Sequence, residues 1–382
     1  MAPSPIRVLH LFSNSKWTGP AEPAVNLCRA LHERGLQVNF ACAPRAGSGF
    51  NKVQTEARGY GLEPFTFLSL SKHRRPLLNW LDVRALRRHL EKTAYDLIHC
   101  HLDNDTGIAL RAAAGLDLPV VRSSYEGTGF PLTGRHRGFV NHCRAVIEPS
   151  RAALQADREH FGADSGRFFV ANTAIDVGRF DPGRALPDMR AKLGLDTGAF
   201  ILGIVARIQA HRHYEDLFAA FSQFAAEVPE AMLVVIGRGT RQEQLAFNPV
   251  RELGLEGRVC FTGYLDKDEY VGMLAALDAG MFLTPGTDGT CRAVREIMAM
   301  GKPMITSERG MLPEIVAHER HGLVTDGSPE RLLAAMRLLH DDPERRLAYG
   351  RAAGETARSL YSLDYYAESI LAIYREILGG DQ

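Results

Sequence analysis

Phe200-Ile-Leu-Gly-Ile-Val-Ala-Arg207 opens a run in which short apolar stretches alternate with helical ones, and that run decides the fold. Met232-Leu-Val-Val-Ile-Gly237, Arg258-Val-Cys-Phe261, Ala279-Gly-Met-Phe-Leu283 and Pro303-Met-Ile-Thr306 continue it, with helices between them. Such runs are the strands of a parallel sheet, and the intervening helices are its crossovers. The same alternation fills the first half of the chain. Val8–Phe12, Val38–Cys42, Asp96–Cys100, Pro119–Arg122 and Ala145–Ser150 read as strands, the last of them closing that half. A helix near Ala21–Arg34 follows the first strand, with Gly35 placed to end it. From about Asn172 to Asp196 the chain is rich in Pro, Gly and charge, which reads as a linker. A last helical run, Asp364 to Leu378, spaces its apolar residues by three and four.

Length agrees with two α/β domains. A domain holds roughly 100–200 residues, and 382 residues give each half enough chain to bury its own core. Lys and Arg balance Asp and Glu at 45 each, but residues 1–180 carry 23 basic and 16 acidic side chains and the rest 22 and 29. The first half is therefore expected to face something anionic, such as a membrane surface or a phosphorylated lipid; scattered surface charge is the plain alternative. No nucleic-acid partner is expected. Val8–Phe12 is too short for a signal-peptide core or a membrane span, and no longer apolar run exists, so any membrane contact is expected to be peripheral. Six scattered cysteines without a CxxC pair fit free thiols in a reducing cytoplasm.

The strongest local signal is Pro285-Gly-Thr-Asp288-Gly-Thr-Cys-Arg292-Ala-Val-Arg-Glu296-Ile-Met-Ala-Met-Gly-Lys-Pro303. A strand ends near Leu283, a polar Gly-containing loop follows, and a helix runs from about Cys291 to Gly301. Loop amides of Gly289, Thr290 and Cys291 and the helix start make a donor-rich mouth suited to a diphosphate, and Arg292 adds a full charge. Glu296 lies one turn deeper, placed for ribose hydroxyls, and Asp288 precedes the helix, placed for a sugar hydroxyl. An ordinary capped strand-loop-helix is the alternative. A second signal is Gly203-Ile-Val-Ala-Arg207-Ile-Gln-Ala-His-Arg212-His213, which delivers Arg207 to the carboxyl end of a strand, where ligands bind in open α/β sheets. Two guanidiniums there suit a diphosphate clamp and the charge that grows on a departing nucleotide. Ser15-Lys-Trp-Thr-Gly19-Pro-Ala-Glu22 is a third, a loop whose Gly19 permits close approach of the chain; it lacks a full GxGxxG.

Three stretches have competing readings. Asp103-Asn-Asp105 has the form of a metal-holding DxD but belongs to another architecture. His99-Cys-His101 has two imidazoles and no third ligand in sequence, so packing or substrate contact is expected and no metal site. Lys72-His-Arg-Arg75 with Arg84, Arg87 and Arg88, and Gly134-Arg-His-Arg-Gly138, are basic; Val83, Leu86 and Leu90 share one face of a helix with the arginines elsewhere. That pattern suits a membrane or acceptor surface, or a solvated helix packed on the first domain.

Over nearly its whole length the chain resembles family 4 of the retaining glycosyltransferases. The family's Glu-x7-Glu is matched by Asp288 and Glu296, continuing into Met298-Ala-Met-Gly-Lys-Pro303, and its Gly-Arg-Leu…Lys-Gly by Ala206-Arg207-Ile…Arg212-His213. Ile236-Gly-Arg-Gly239, Phe261-Thr-Gly-Tyr264, Asp176-x-x-Arg-Phe180, Gly310-Met-Leu-Pro-Glu314-Ile-Val and Gly322-Leu-Val are further landmarks in family order. The resemblance implies a GT-B fold of two Rossmann-like domains with parallel sheets facing a central cleft. Residues 1–180 would bind acceptor, 181–362 the nucleotide sugar, and 363–382 would form a helix crossing back to the first domain. It implies Arg207, Arg212 and Asp288 as catalytic residues. Gly19, Gly237, Tyr264, Leu265, Gly289, Thr290, Cys291, Arg292 and Glu296 would bind the donor, and His101, Tyr125 and Glu126 would contact acceptor or sugar.

The departures from the family are local. Asp288 replaces Glu, Cys291 and Arg292 replace Gly and an apolar residue, Arg212 replaces Lys, Gly19 stands without the second glycine, and Tyr125 stands where a histidine is usual. The expectation is a metal-independent retaining hexosyltransferase without a resident cofactor. It would use a nucleoside-diphosphate sugar and a cell-envelope glycan or lipid-linked acceptor, in the cytoplasm or at the inner face of the membrane. A nucleotide-sugar-binding protein without transferase activity, or a sugar-nucleotide epimerase on the same scaffold, is the alternative. A nicotinamide dehydrogenase is more distant still, since no complete dinucleotide fingerprint follows Phe12.

Overall fold

A computed structural model describes residues 5–44, 51–162, 165–285 and 291–379. The chain divides into two compact units, residues 1–174 with 363–382, and residues 175–362. Each is built on a six-stranded parallel sheet flanked by helices.

The first sheet comprises β1 (Arg7–Phe12), β2 (Gln37–Cys42), β3 (Leu97–Cys100), β4 (Val120–Ser123), β5 (Ala145–Glu148) and β6 (Phe168–Val170), in the order β2-β1-β3-β4-β5-β6. Strands β3, β4 and β5 are buried along their whole length, as expected where helices cover both faces. The sequence reading ends this half at β5; the structure adds β6, a three-residue edge strand paired with β5 through Phe168, Phe169 and Val170. The C-terminal helix Leu363–Ile377 belongs to this unit. It sinks Tyr366, Ala367, Ile370 and Tyr374 among Val8, Leu27, Leu31 and Val121, and Asp364 pairs with Arg34 at 2.8 Å.

The second sheet comprises β7 (Phe200–Val205), β8 (Ala231–Ile236), β9 (Val259–Gly263), β10 (Ala279–Phe282), β11 (Met304–Ser307) and β12 (Gly322–Thr325), in the order β12-β11-β10-β7-β8-β9. Chain order reverses between β7 and β10, and in open α/β sheets the crevice beyond the strand ends at such a reversal is where ligands bind. The segment read as a linker is anchored instead. Ile175, Phe180 and Met189 are buried in the second core, and Phe180 meets Tyr270 edge-on at 6.0 Å. The boundary falls between Ala174 and Ile175 because these isolated apolar side chains tie the segment to the second unit.

Candidate active site

The loops leaving β7 and β10 are tied together by one buried arginine. Arg212 ends a short 3-10 turn, Ala210–Arg212, and its Nη1 donates to the Thr284 carbonyl at 2.6 Å while the guanidinium lies over the Phe282 ring. His213 follows in the left-handed region, φ 56°, and starts the helix Tyr214–Glu227. Its Nδ1 lies 3.0 Å from Asp216, so the turn holding Arg212 is fixed at both ends. A charge held this way at the strand reversal loses little freedom when it meets an anion. Arg207, just past β7, is exposed and has no ion pair among the described residues.

The ends of β7 and β8 approach so closely that only glycine fits at two points. A Cβ at Gly237, whose φ is +147°, would lie 2.2 Å from the Ala206 carbonyl oxygen, and one at Gly239 would lie 2.0 Å from that of Ile208. The amides of Ala206 and Ile208 donate to Ile236 and Arg238 across this contact. Beside it the Arg238 guanidinium sits over the Tyr264 ring at 5.6 Å. Tyr264 is 63% exposed, and Leu265 is half-buried against the core.

After β10 the helix Arg292–Ala299 begins at Cys291, which is buried and left-handed at φ 49°. Glu296 is buried in its second turn. Its Oε1 faces Arg292 Nε at 3.3 Å, and its Oε2 accepts from the Tyr270 hydroxyl at 2.5 Å. Burial first, and the Glu296 carboxylate second, hold the Tyr270 hydroxyl well above its usual pKa, so it stays a donor. Arg309 donates to the Leu283 carbonyl from the far side of the same strand end. Asp288, Gly289 and Thr290 lie outside the described residues. The second unit thus places Arg207 and Arg212 after β7, Gly237 after β8, Tyr264 and Leu265 after β9, and Cys291, Arg292 and Glu296 at the start of the helix that follows β10. The sequence reading missed Tyr270, Arg238 and the close approach at Gly239.

The remaining sequence-derived candidates sit in the first unit, whose chain order reverses between β1 and β3. Gly19 lies in the turn before the helix Ala21–Glu33. His10 stands opposite His99 in register, and the rings of His10, His99 and His101 stack at 4.6–5.3 Å, all fully buried. His101 Nδ1 meets the Tyr125 hydroxyl at 2.7 Å and its Nε2 meets His10 Nδ1 at 3.0 Å. His99 bridges Tyr374 and Ser123. Burial drives all three imidazoles to the neutral form, with the His10 pKa lowered to about 3. In either tautomer of neutral His101 one ring nitrogen donates and the other accepts, so the Tyr125, His101 and His10 contacts form a single directional chain. Tyr125 is therefore committed within the core, and its neighbour Glu126 is the exposed member of the pair.

The DxD stretch makes structural contacts. Asp103 meets Arg122 at 3.2 Å and His136 at 3.1 Å; burial opposes its ionisation, but these two partners and Arg135 hold its pKa down to about 2. Buried Asp105 accepts from the amides of Ser13 and Leu102. Among the described residues, His10, Cys28 and His101 bring potential ligand atoms within 4.8 Å of one another, but both ring nitrogens of His101 are already engaged.

Two six-stranded parallel-sheet units, with arginines and glycines collected at the strand reversal of the second, have the architecture of the GT-B glycosyltransferases. The chain belongs to glycosyltransferase family 4: residues 19–179 match Glycosyltransferase Family 4 and residues 187–356 match Glycosyl transferases group 1. A D-inositol 3-phosphate glycosyltransferase of Rhodococcus jostii is 30% identical over 318 residues, 77% of this chain and 69% of that protein. The lipopolysaccharide core biosynthesis glycosyltransferase LpsD of Rhizobium meliloti is 26% identical over 97% of this chain and 98% of its own length. Among solved structures, Anabaena HepE in complex with UDP is similar with a TM-score of 0.82, at 18% identity, over 97% of this chain and all of that one.

Proposed function

We propose that this glycosyltransferase moves a hexose from a nucleoside-diphosphate sugar to a cell-envelope glycan or lipid-linked acceptor, with retention of anomeric configuration and without a divalent metal. The observation that carries the proposal is Arg212, buried and bonded to the Thr284 carbonyl, which holds a guanidinium where the loops after β7 and β10 meet. Arg207 and Arg292 are the further cations for the diphosphate, doing in place what a metal ion would do. Glu296, oriented by Tyr270, takes the ribose; Tyr264 and Leu265 flank the base; Gly237 is a donor contact, and it and Gly239 let the strand end pack against the segment that carries Arg207. Asp288, Gly289, Thr290 and Cys291 complete the donor site, Gly19 is a further donor contact, and exposed Glu126 is left for the acceptor, since both ring nitrogens of His101 are engaged in the core. The UDP complex of HepE and the glycosyltransferase names of the relatives support this reading.

In the transfer step the bond between the anomeric carbon and the diphosphate oxygen breaks, leaving an oxocarbenium-like sugar. The acceptor hydroxyl attacks from the face the diphosphate leaves, and its proton passes to the departing phosphate. Arginine charge and helix-start amides lower the barrier by stabilising that leaving group. The test is a screen of UDP-, GDP- and ADP-sugars for hydrolysis and transfer, followed by Arg207→Ala with the matched donor. A loss of about a hundredfold in kcat/KM is expected, and undiminished transfer would overturn the assignment. Product analysis without acceptor separates transfer from epimerisation.

A further inference from the structure

The helix Pro76–Lys92 in the first unit buries one side and leaves the other exposed among the described residues. Asn79, Asp82, Leu86 and Leu90 face inward. On the opposite side Leu77, Trp80 and Leu81 are 70%, 51% and 47% exposed, and Arg84 and Arg88 continue the same stripe at helical spacing. The Arg84 guanidinium lies 4.6 Å over the Trp80 ring. Exposed Lys72, Arg74 and Arg75 lead into the helix.

Beside the stripe is a shallow groove of about 310 Å³ lined by Val83, Arg84, Arg87, Arg88 and Arg111. Arg87 is fixed by the carbonyls of Ala112 and Ala114 and by Glu91, and Arg111 by the Gly107 carbonyl. Arg88 is exposed and has no ion pair among the described residues. The acidic groups of the helix do not cancel this charge. Asp82 is turned inward onto the amides of Ser69 and Leu70, and Glu91 neutralises only Arg87.

We propose that this surface docks on an anionic lipid bilayer, with Leu77, Trp80 and Leu81 entering the interface and Arg84, Arg88 and Arg111 taking lipid phosphates. Charge complementarity chooses the occupant. An apolar tip flanked by arginines, with a cationic groove for phosphate beside it, matches a surface that is negative at the headgroups and apolar beneath them. An aromatic side chain at the rim, apolar in body and polar at the ring nitrogen, suits that boundary. Among the described residues no helix is long and apolar enough to cross a membrane, so the contact is lateral. The proposal is independent of the transfer chemistry, since neither donor nor acceptor takes part.

The experiment uses the full chain with vesicles of phosphatidylcholine alone or mixed with phosphatidylglycerol. The chain has two tryptophans, Trp17 and Trp80, so a Trp17→Phe background makes Trp80 the reporter. Cosedimentation with anionic vesicles, a blue shift of Trp80 emission and loss of both in high salt are expected. Arg84→Glu with Arg88→Glu should weaken partitioning by about tenfold or more. Leu77→Ser with Leu81→Ser should abolish the blue shift while weak, salt-sensitive attachment persists. These positions are exposed, and an unchanged thermal transition shows that the variants fold. Equal binding to neutral and anionic vesicles, or undiminished binding of the charge-reversed variant, would overturn the proposal. So would self-association, read by light scattering without lipid, that the Leu77 and Leu81 changes remove.

Discussion

The Tyr270 hydroxyl donates to Glu296 Oε2 at 2.5 Å, from a helix that starts at Lys267 to one that starts at Arg292. Arg292 takes the other oxygen. The carboxylate is thus held between a neutral donor and a cation and is presented in one orientation. Tyr270→Phe removes the donor and leaves the ring packed on Phe180. Losing a hydrogen bond to a buried carboxylate costs about 1–3 kcal/mol. Binding of the nucleoside diphosphate of whichever donor the screen identifies, followed by calorimetry, should weaken by about tenfold or more, and Glu296→Gln, which keeps an acceptor for Tyr270 but removes the carboxylate proposed for the ribose, should weaken it at least as much. A Tyr270→Phe protein that melts earlier but binds that nucleotide normally would show that the contact serves packing alone.

Gly239 is a second point where a small change should act on the site. An added methyl would meet the Ile208 carbonyl at 2.0 Å, and backbone cannot swing aside as a side chain can. Gly239→Ala should force the ends of β7 and β8 apart at a cost of about 1–3 kcal/mol. Because Arg207 lies between Ala206 and Ile208, donor affinity should fall by more than the melting shift implies. Calorimetry with the nucleoside diphosphate identified by the screen and a thermal melt on the same sample decide it. Gly134→Ala, where an added Cβ meets nothing within 4 Å, is the control.

These two residues mark where sequence reading stops. Long apolar runs such as Phe200–Val205 announce themselves, because strands buried on both faces need continuous hydrophobicity. Phe168–Val170 does not, since a three-residue edge strand carries too little pattern. Pro, Gly and charge between Asn172 and Asp196 outweigh isolated anchors like Phe180, which only packing against Tyr270 reveals. In the site, Arg207, Arg212 and Glu296 are legible because each has a fixed offset from a strand or helix end. Tyr270 stands 26 residues before Glu296 on another helix, and no local spacing joins them. The same holds for His99, whose partner Tyr374 comes from the far end of the chain.

The stacked histidines predict the acid limb of stability. Burial holds all three below their usual pKa, so the folded state binds fewer protons than the unfolded one. Their contribution is complete above about pH 6.5 and is lost as pH falls toward the folded values, about 3 for His10. Each histidine adds a slope of about 1.4 kcal/mol per pH unit in that window. His10→Asn should therefore flatten urea-derived stability by about that slope between about pH 6 and pH 4. Parallel curves for the two proteins would mean that the imidazole is not buried neutral.

Glu148 and Asp157 should act in the opposite sense. Glu148 ends β5 fully buried, and Asp157 faces it from the helix Arg151–Phe161. Asp157 Oδ1 accepts from the Phe130 amide at 2.7 Å, while its Oδ2 and both Glu148 oxygens have no hydrogen-bond donor among the described residues. A proton shared between the carboxyls satisfies one oxygen of each, and burial together with the neighbouring acid raises the pKa of Glu148 well above its usual value. A raised carboxyl pKa means the folded state binds more protons, so stability from the pair is present in acid and falls as pH rises from about 4 through the folded value. Glu148→Gln supplies a permanent donor to Asp157 and removes that loss. The variant should match wild type near pH 4 and gain on it by about 1.4 kcal/mol per pH unit above that, until the wild-type pair has released its proton. Urea midpoints across the pH range measure the difference directly. A gain that does not change with pH would rule out a shared proton, and a loss at every pH would show that Glu148 is needed as a carboxylate.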